Sequence, residues 1–308
     1  MITNKNILID LTLPDGGTQA IGDLDSAYDY CRIITTSHYE NFPVASVLIP
    51  KKFRKYIYAV YAFSRIADDI ADELEGDNSQ RIKALDTYLS LLTYDFSKSK
   101  KINPIFLALQ DTMSARNISA EPFNRLITAF KSDINFIQPE TWDDVKIYCN
   151  NSANPVGEII LRIFGNNNDQ TILYSDNICT GLQLANFWQD LSIDLRKERY
   201  YLPKFLLEKH KLDKENLFDV QNSANLVDCL DDIYKYTSDY FEKGSNLVPL
   251  LNDFRLRLEI LLTLEGGKKI LNKTKKLGYS IINIRPKITK TDIISLVFTS
   301  LFRYRVFK

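Results

Sequence analysis

Two short stretches of the sequence place several carboxylates on segments that otherwise read as buried helix. The first is RIADDIAD at residues 65–72, in which Arg65, Asp68 and Asp72 are spaced i, i+3 and i+7 and therefore share one helix face. Asp68 and Asp72 are one turn apart, about 6 Å along the axis, and like charges at that spacing destabilise an isolated helix. A solvated surface stripe is the alternative interpretation, but the apolar flanks leave little polar surface and so weaken it.

The second stretch is QLANFWQDLSID at residues 183–194. Its polar side chains are spaced i, i+3, i+7 and i+11 along one face: Gln183, Asn186, Asp190 and Asp194. The opposite face is apolar, with Leu184, Phe187, Trp188 and Leu191. Two acidic helices that face each other in an apolar bundle would form a carboxylate cluster that requires cations.

Mg²⁺ fits such a cluster best, because it takes carboxylate oxygen and is commonly completed by substrate phosphates. The chain has only two histidines, His38 and His210, which excludes a histidine-rich zinc site and disfavours a Ser-His-Asp triad. Four basic residues are candidates for the remaining phosphate oxygens: Arg65, Arg196, Lys197 and Arg199. For Arg196 and Lys197, the preference of helix C-termini for positive charge is an equally good explanation. The pattern therefore predicts a metal-bridged diphosphate.

The elements that position these residues are predicted to be helices throughout. Apolar spacing and the placement of Pro and Gly predict helices over 24–37, 51–74, 80–95, 103–116, 121–134, 141–164, 170–196, 224–250, 254–277 and 289–303. TWDD at 141–144 and TKTD at 289–292 have the form of capping boxes. No Gly/Ser/Pro-rich linker divides the chain, so we predict one all-α domain over residues 1–308, with an irregular segment at 1–22. With 17 Tyr and 17 Phe, its apolar interior suits an isoprenoid chain, although aromatic residues are more often plain core.

Composition excludes several other classes. Lys plus Arg equals Asp plus Glu at 39 each, so no bulk charge indicates nucleic acid. The four cysteines lack CxxC spacing, which is typical of reduced thiols in a cytoplasmic protein. Neither a signal peptide nor an apolar run of roughly 18 residues is present. The last stretch, IISLVFTSLFRYRVFK, is interpreted as a helix packed on the body, with peripheral contact to a membrane surface as the alternative.

Taken together, these stretches resemble the squalene/phytoene synthase family. The first motif matches at Arg65, Asp68 and Asp72. The second matches at Gln183, Asn186, Asp190, Asp194, Arg199 and Tyr201. Tyr148 precedes SANPVG where relatives have a tyrosine, and His38 begins the N-terminal His-x-x-x-Phe segment. The resemblance implies an isoprenoid-synthase-type helical bundle with a central apolar cavity.

Within the family, HYENFPVAS, RIADDIADE and SANPVGEIILRIFG most resemble the bacterial hydroxysqualene synthase branch of hopanoid pathways. That resemblance implies conversion of presqualene diphosphate and water to hydroxysqualene and diphosphate, with Mg²⁺ and without a nicotinamide cofactor. Pathway neighbours would be a presqualene diphosphate synthase and a hydroxysqualene reductase. The same family offers phytoene, dehydrosqualene or squalene synthesis as alternatives. DDIAD also fits a head-to-tail prenyl synthase or a terpene cyclase, whereas a non-catalytic assembly factor is disfavoured by the retained aspartates.

The resemblance also implies roles for single residues. The four aspartates, helped by Asn186, would bind two or three Mg²⁺ ions. Arg65, Arg199 and Arg285 would hold the leaving diphosphate, and His38 would contact it. Tyr148 and Tyr201 would orient diphosphate or water or move a proton; for both, a hydroxyl satisfied within the core is an equal alternative. Two departures from the family pattern are Glu198, where relatives have glycine, and Gly266 with Gly267, where an absent aromatic would make room for water.

Overall fold

The structure is a computed structural model that describes residues 23–37, 48–96 and 102–306. No strand occurs in those ranges, which confirms the all-α prediction. The helices are α1 (Leu24–Ser37), α2 (Lys51–Asp72), α3 (Asn78–Ser90), α4 (Pro104–Arg116), α5 (Glu121–Ile134), α6 (Trp142–Ser152), α7 (Asn154–Phe164), α8 (Asp169–Gln189), α9 (Leu191–Asp194), α10 (Lys204–Lys209), α11 (Ser223–Gly244), α12 (Phe254–Leu277) and α13 (Lys290–Val306). None of these helices is long and apolar enough to cross a bilayer.

Most predicted helices form close to their predicted bounds, and two are divided. The segment predicted as one helix over 141–164 breaks at Ala153, just before the helix that contains Pro155. The segment predicted over 170–196 breaks at Asp190, whose backbone leaves helical geometry (φ −93°, ψ 5°). Helix α10 was not predicted. Both capping boxes form, at Thr141 with Asp144 and at Thr289 with Asp292.

The chain divides into two compact units. Unit 1 comprises the residues up to Asn135 together with Glu158–Asn166. Its core forms where α1, α2 and α4 pack together, and it contains the fully buried Phe63, Tyr88, Phe106 and Phe123. The rings of Phe63 and Tyr88 are stacked, with centroids 5.2 Å apart. This packing fixes the buried side of α2 and so determines which side of that helix carries the first acidic motif.

Unit 2 comprises Phe136–Gly157 and the residues from Asn167 onward. Helix α8 packs against α11 and α12, and Trp188 on α8 donates a buried hydrogen bond of 2.9 Å to the hydroxyl of Thr237. These contacts fix the C-terminal end of α8, where the second motif lies. The single-domain prediction stays a prediction, and the segment predicted as irregular, 1–22, lies outside the described residues.

Candidate active site

The first acidic motif lies at the C-terminal end of α2. The apolar positions of this stretch are buried, as predicted: Ala62, Phe63, Ile66, Ala67, Ile70 and Ala71. Asp68 is 47% exposed and Asp72 is exposed. The helix ends at Asp72, so both carboxylates belong to its last two turns. That end of a helix carries a partial negative charge, which adds to the unfavourable placement of two acids there.

The environment of Asp68 favours its neutral form. The pKa of its carboxyl is raised from 3.8 to about 6, chiefly by burial and then by the neighbouring charge of Asp72, while Arg65 opposes both. Asp69 and Asp133 act in the same direction as Asp72. A cation placed between Asp68 and Asp72 would remove this cost, because an opposite charge within a few ångströms favours the ionised carboxylate.

Arg65 lies among acids of its own helix. Its guanidinium is 2.5 Å from a carboxylate oxygen of Asp69, 3.7 Å from Asp68 and 3.9 Å from Glu73. Its Nε is buried and makes no hydrogen bond. The prediction gave Arg65 only a phosphate as a partner, and missed Asp69, although the Arg65–Asp69 spacing of i, i+4 is the usual spacing of a helical ion pair.

The second motif lies where α8 ends and the short α9 begins. The amide of Asp190 donates to the carbonyl of Asn186 at 2.9 Å, and the amide of Asp194 donates to the carbonyl of Asp190 at 2.9 Å. Because both bonds span four residues, the one-turn spacing of the polar stripe survives the break. Gln183 is half-buried and Asn186 is exposed on the same helix. The four residues therefore follow one another at helical spacing, although not on one continuous helix.

The carboxyl of Asp194 has the same electrostatic character as that of Asp68. Burial raises its pKa from 3.8 to about 6, with the charge of Asp190 adding to the shift. Three cations oppose the shift: Arg199, Lys197 and Arg285. Arg199, which the resemblance assigns to the second motif, and Arg285 thus both act on the charge of Asp194, and their predicted contact with diphosphate stays a prediction.

Arg285 reaches the motif from the loop that precedes α13. Its Nε donates a hydrogen bond to a carboxylate oxygen of Asp190. The loop is held in place by Gln189, which is buried and donates through Nε2 to the carbonyl of Pro286 at 2.9 Å. Because the loop is fixed in this way, Arg285 lies beside Asp190. The two residues are 95 positions apart in the sequence, so no local pattern predicts their contact.

The two candidate tyrosines lie in one aromatic cluster of unit 2. Tyr201 stacks on the buried Phe187 with centroids 3.8 Å apart and packs edge-on against Phe136 at 5.0 Å. Tyr148 contacts both Phe187 at 5.6 Å and Tyr201 at 5.9 Å. Both tyrosines are partly exposed, so the cluster presents aromatic surface near the end of α8. Such faces can stabilise a cation held over them.

The two departures from the family pattern have definite local structures. Glu198 adopts a left-handed backbone conformation (φ 58°, ψ 22°) at the end of the 3₁₀ turn Leu195–Lys197, so the loop keeps the conformation that glycine takes without strain. At Gly267, a Cβ atom would lie 2.7 Å from Leu182 and 2.8 Å from Phe241. The space beside Gly267 is therefore filled by side chains and leaves no room for water there, whereas the same hypothesis for Gly266 stays a prediction.

Neither of the two histidines is placed in a motif by the described residues. His38 lies outside the described residues, so its predicted contact with diphosphate stays a prediction. The other histidine, His210, pairs through Nε2 with Asp232 at 2.8 Å. It takes no part in either motif.

Each unit supplies a pair of carboxylates, and the described residues contain no cluster of three or more His, Cys, Asp or Glu side chains able to hold a metal. Two pairs of hard oxygen donors nevertheless fit Mg²⁺, which is usually bound through one or two carboxylates and completed by water and phosphate oxygen. One carboxyl of each pair is partly buried and has a raised pKa, so its anion is destabilised. That the two pairs act on one ligand stays a prediction.

Comparison with known proteins gives a consistent result. Residues 35–292 match the sequence model of the family described as squalene/phytoene synthase. The hydroxysqualene synthase of Rhodopseudomonas palustris is 35% identical over 222 residues, which are 72% of this chain and 74% of that protein. The crystal structure of squalene synthase HpnC from Alicyclobacillus acidocaldarius has a TM-score of 0.76 at 36% identity and covers 83% of this chain and 95% of its own. A ligand-bound dehydrosqualene synthase has a TM-score of 0.80 at 24% identity, covers 92% of this chain and 98% of its own, and shows the shared fold.

Proposed function

The chain belongs to the squalene/phytoene synthase family, and from that premise we propose that it converts presqualene diphosphate and water to hydroxysqualene and diphosphate with Mg²⁺. As a member of this family it is an isoprenoid-modifying enzyme. Its similarity to a protein named hydroxysqualene synthase supports this choice of product. The observation that carries the proposal is the pair of acidic motifs, each with one carboxyl whose pKa is raised to about 6 and each with an arginine beside it.

The aspartates would bind the metal in pairs, Asp68 with Asp72 and Asp190 with Asp194, with Asn186 beside the second pair. Bound there, Mg²⁺ would supply Lewis-acid stabilisation of the departing diphosphate. The two carboxyls with a raised pKa must lose their protons to take this role, and an adjacent divalent charge is what favours that loss.

The arginines would hold the leaving group. Arg285 uses its Nε for Asp190, which leaves its terminal nitrogens as donors for phosphate oxygen. Arg65 is anchored by Asp69 and keeps a buried Nε without a hydrogen bond. Arg199, whose charge acts on Asp194, completes the set. Guanidinium groups suit this task because their planar donors match phosphate geometry.

The aromatic cluster of Phe136, Tyr148, Phe187 and Tyr201 would protect the cation that forms when the carbon–oxygen bond to diphosphate breaks. Aromatic faces lower the energy of such a cation and exclude bulk water from it. The cyclopropylcarbinyl cation would first rearrange, as a carbon–carbon bond of the cyclopropane opens. One water oxygen then bonds to the resulting cationic carbon, and a proton of that water passes to diphosphate. The hydroxyls of Tyr148 and Tyr201 would orient this water or relay the proton.

The test is a product assay on the full-length protein. Purified protein is incubated with presqualene diphosphate and Mg²⁺, without NADPH, and products are identified by mass spectrometry. We expect hydroxysqualene and diphosphate in equal amounts. A parallel incubation supplies simpler prenyl diphosphates instead. Phytoene or dehydrosqualene from that incubation, with no hydroxysqualene from presqualene diphosphate, would assign the protein to another branch of the family; a cyclic terpene would contradict the proposal altogether.

Two variants and a control connect the product to the site. Asp68→Asn and Asp190→Asn should abolish turnover while circular dichroism shows unchanged helix content. Asp228→Asn, at an exposed position on α11, should keep full activity. Activity near that of the wild type in either of the first two variants would show that the motif residues are misassigned.

A further inference from the structure

Helix α13 presents a broad apolar surface to the outside. Six large apolar side chains on it are between 41% and 70% exposed: Ile293, Ile294, Val297, Phe298, Leu301 and Phe302. They form two adjacent rows at i, i+4 and i+8, one from Ile293 to Leu301 and one from Ile294 to Phe302. The surface therefore extends about 14 Å along the helix. We call these six residues the outer face of α13.

The inward side of the same helix is largely polar, with the half-buried Leu296 between its polar residues. Asp292 is only 8% exposed and forms ion pairs with Lys269, at 3.3 Å, and with Lys273, both on α12. Ser300 is fully buried, and Arg303 pairs with Glu265 of α12 at 2.9 Å. A helix on a water-exposed surface normally has the opposite arrangement, with its apolar stripe toward the core. The outer face of α13 is thus built to meet an apolar phase.

The surrounding sequence is strongly basic. From Phe254 to Val306 there are 12 Lys and Arg residues against three Asp and Glu, although the whole chain carries 39 of each kind. Within the described part of the chain, four exposed members of this set make no ion pair: Arg255, Lys276, Lys287 and Lys290. Lys290 also begins the row that continues through Ile294 and Phe298 to Phe302. Positive charge therefore lies at the margin of the apolar surface.

We propose that α13 binds in the interface of an anionic lipid bilayer. Its outer face would lie among the acyl chains, and the basic residues of α12 and of the loop between α12 and α13 would face the headgroups. An apolar face flanked by basic residues is the arrangement that interfacial helices use, and each basic residue near an anionic leaflet adds to the attraction. Phe254, 50% exposed and packed at 5.0 Å against Tyr304 of α13, extends the apolar surface onto α12. A second copy of the chain is a poorer occupant, because two such basic segments repel each other.

The test is sedimentation of the full-length protein with vesicles, in the absence of substrate. Vesicles of phosphatidylcholine alone are compared with vesicles containing about one-third phosphatidylglycerol. We expect binding to the anionic vesicles and weaker binding to neutral ones. Binding should be lost as the salt concentration is raised, because salt screens the attraction between the basic residues and the anionic headgroups. The double variant Phe298→Ser/Phe302→Ser should bind at least about tenfold more weakly, because it lacks two phenyl rings whose transfer from water into the bilayer favours binding.

The matched control is Ile137→Ser/Val220→Ser, which removes two apolar side chains that are 83% and 74% exposed elsewhere in unit 2. This variant should bind vesicles like the wild type. The proposal is overturned if the wild type does not bind anionic vesicles, if neutral vesicles bind equally well, or if both double variants lose binding to the same extent. A dimer on size-exclusion chromatography that only the α13 variant converts to monomer, without vesicle binding, would assign the outer face to a second copy. None of these readouts depends on catalysis, so they are separate from the product assay.

Discussion

Replacing Asp68 with asparagine should stabilise the protein while abolishing its activity. The Asp68 carboxyl titrates near 3.8 in an unfolded chain and near 6 in the folded protein, because burial and Asp72 disfavour its charge. At neutral pH the folded state therefore carries an unfavourable anion. Asparagine has nearly the same shape and cannot ionise, so it removes that cost.

The magnitude follows from the shift in pKa. A change from 3.8 to about 6 corresponds to about 3 kcal/mol, at 1.36 kcal/mol per pKa unit. The Asp68 side chain is 47% exposed, so solvent screens a large part of this, and we expect about 1–1.5 kcal/mol in the free energy of unfolding. For a chain of this size, that should raise Tm by about 2–5 °C.

The stability difference between Asp68→Asn and the wild type should depend on pH. A group with a raised folded-state pKa contributes stability below its unfolded pKa and loses it as pH rises through the folded pKa. The advantage of Asp68→Asn over the wild type should therefore be small near pH 4, grow between pH 4 and about 6, and be complete above that. Thermal melts of both proteins across this range, without Mg²⁺, measure it.

Asp228→Asn is the control, because it makes the same chemical change at an exposed helical position. It should leave Tm unchanged at every pH. A melting temperature of Asp68→Asn equal to or below that of the wild type at neutral pH would show that the Asp68 anion does not destabilise the folded protein. So would a gain that does not diminish as pH falls toward 4.

Three further predictions concern other residues of unit 2. Arg285→Gln removes a cation that lowers the pKa of Asp194. We expect kcat/KM to fall off on the acid side near pH 6 in the wild type, and at a higher pH in this variant. An unchanged pH profile would contradict the role of Arg285 beside Asp194. Glu198→Gly should raise stability by about 0.5–1 kcal/mol in chemical denaturation, because its φ of 58° costs a side-chain-bearing residue more than glycine, whereas Glu198→Ala should give no gain. Gly267→Ala should lower stability by about 1–3 kcal/mol, because a Cβ would meet Phe241 at 2.8 Å, and the added change Phe241→Leu should recover part of the loss.

The fold could be predicted from the sequence largely because its helices are strongly periodic and clearly capped. The bounds of α1, α5 and α12 follow from apolar spacing and from the residues at their ends, which are Asp23 before α1, Pro122 and Asn135 at the two ends of α5, and Asp253 and Gly278 on either side of α12. The break at Asp190 could not be predicted, because the residues on both sides, from Gln183 to Asp194, continue the same spacing without glycine or proline. Only tertiary contacts, such as that of Gln189 with Pro286, distinguish a break from a continuous helix there.

The candidate site could be predicted in its acidic residues and less well in its basic ones. Asp68, Asp72, Asp190 and Asp194 stand out because carboxylates in apolar helices are costly. The residues that pair with the arginines are harder to predict from the sequence. Arg65 pairs with Asp69, which a simple i, i+4 search would have found, whereas Arg285 meets Asp190 across a separation that no local pattern reveals.

Calorimetric titration tests the proposal that both carboxylate pairs bind one Mg²⁺–diphosphate ligand. Inorganic diphosphate is titrated into the full-length protein with Mg²⁺ present, and then into Asp68→Asn and Asp190→Asn separately. We expect one binding event in the wild type and its loss in each variant. Unchanged binding in either variant would show that the two pairs do not share the ligand.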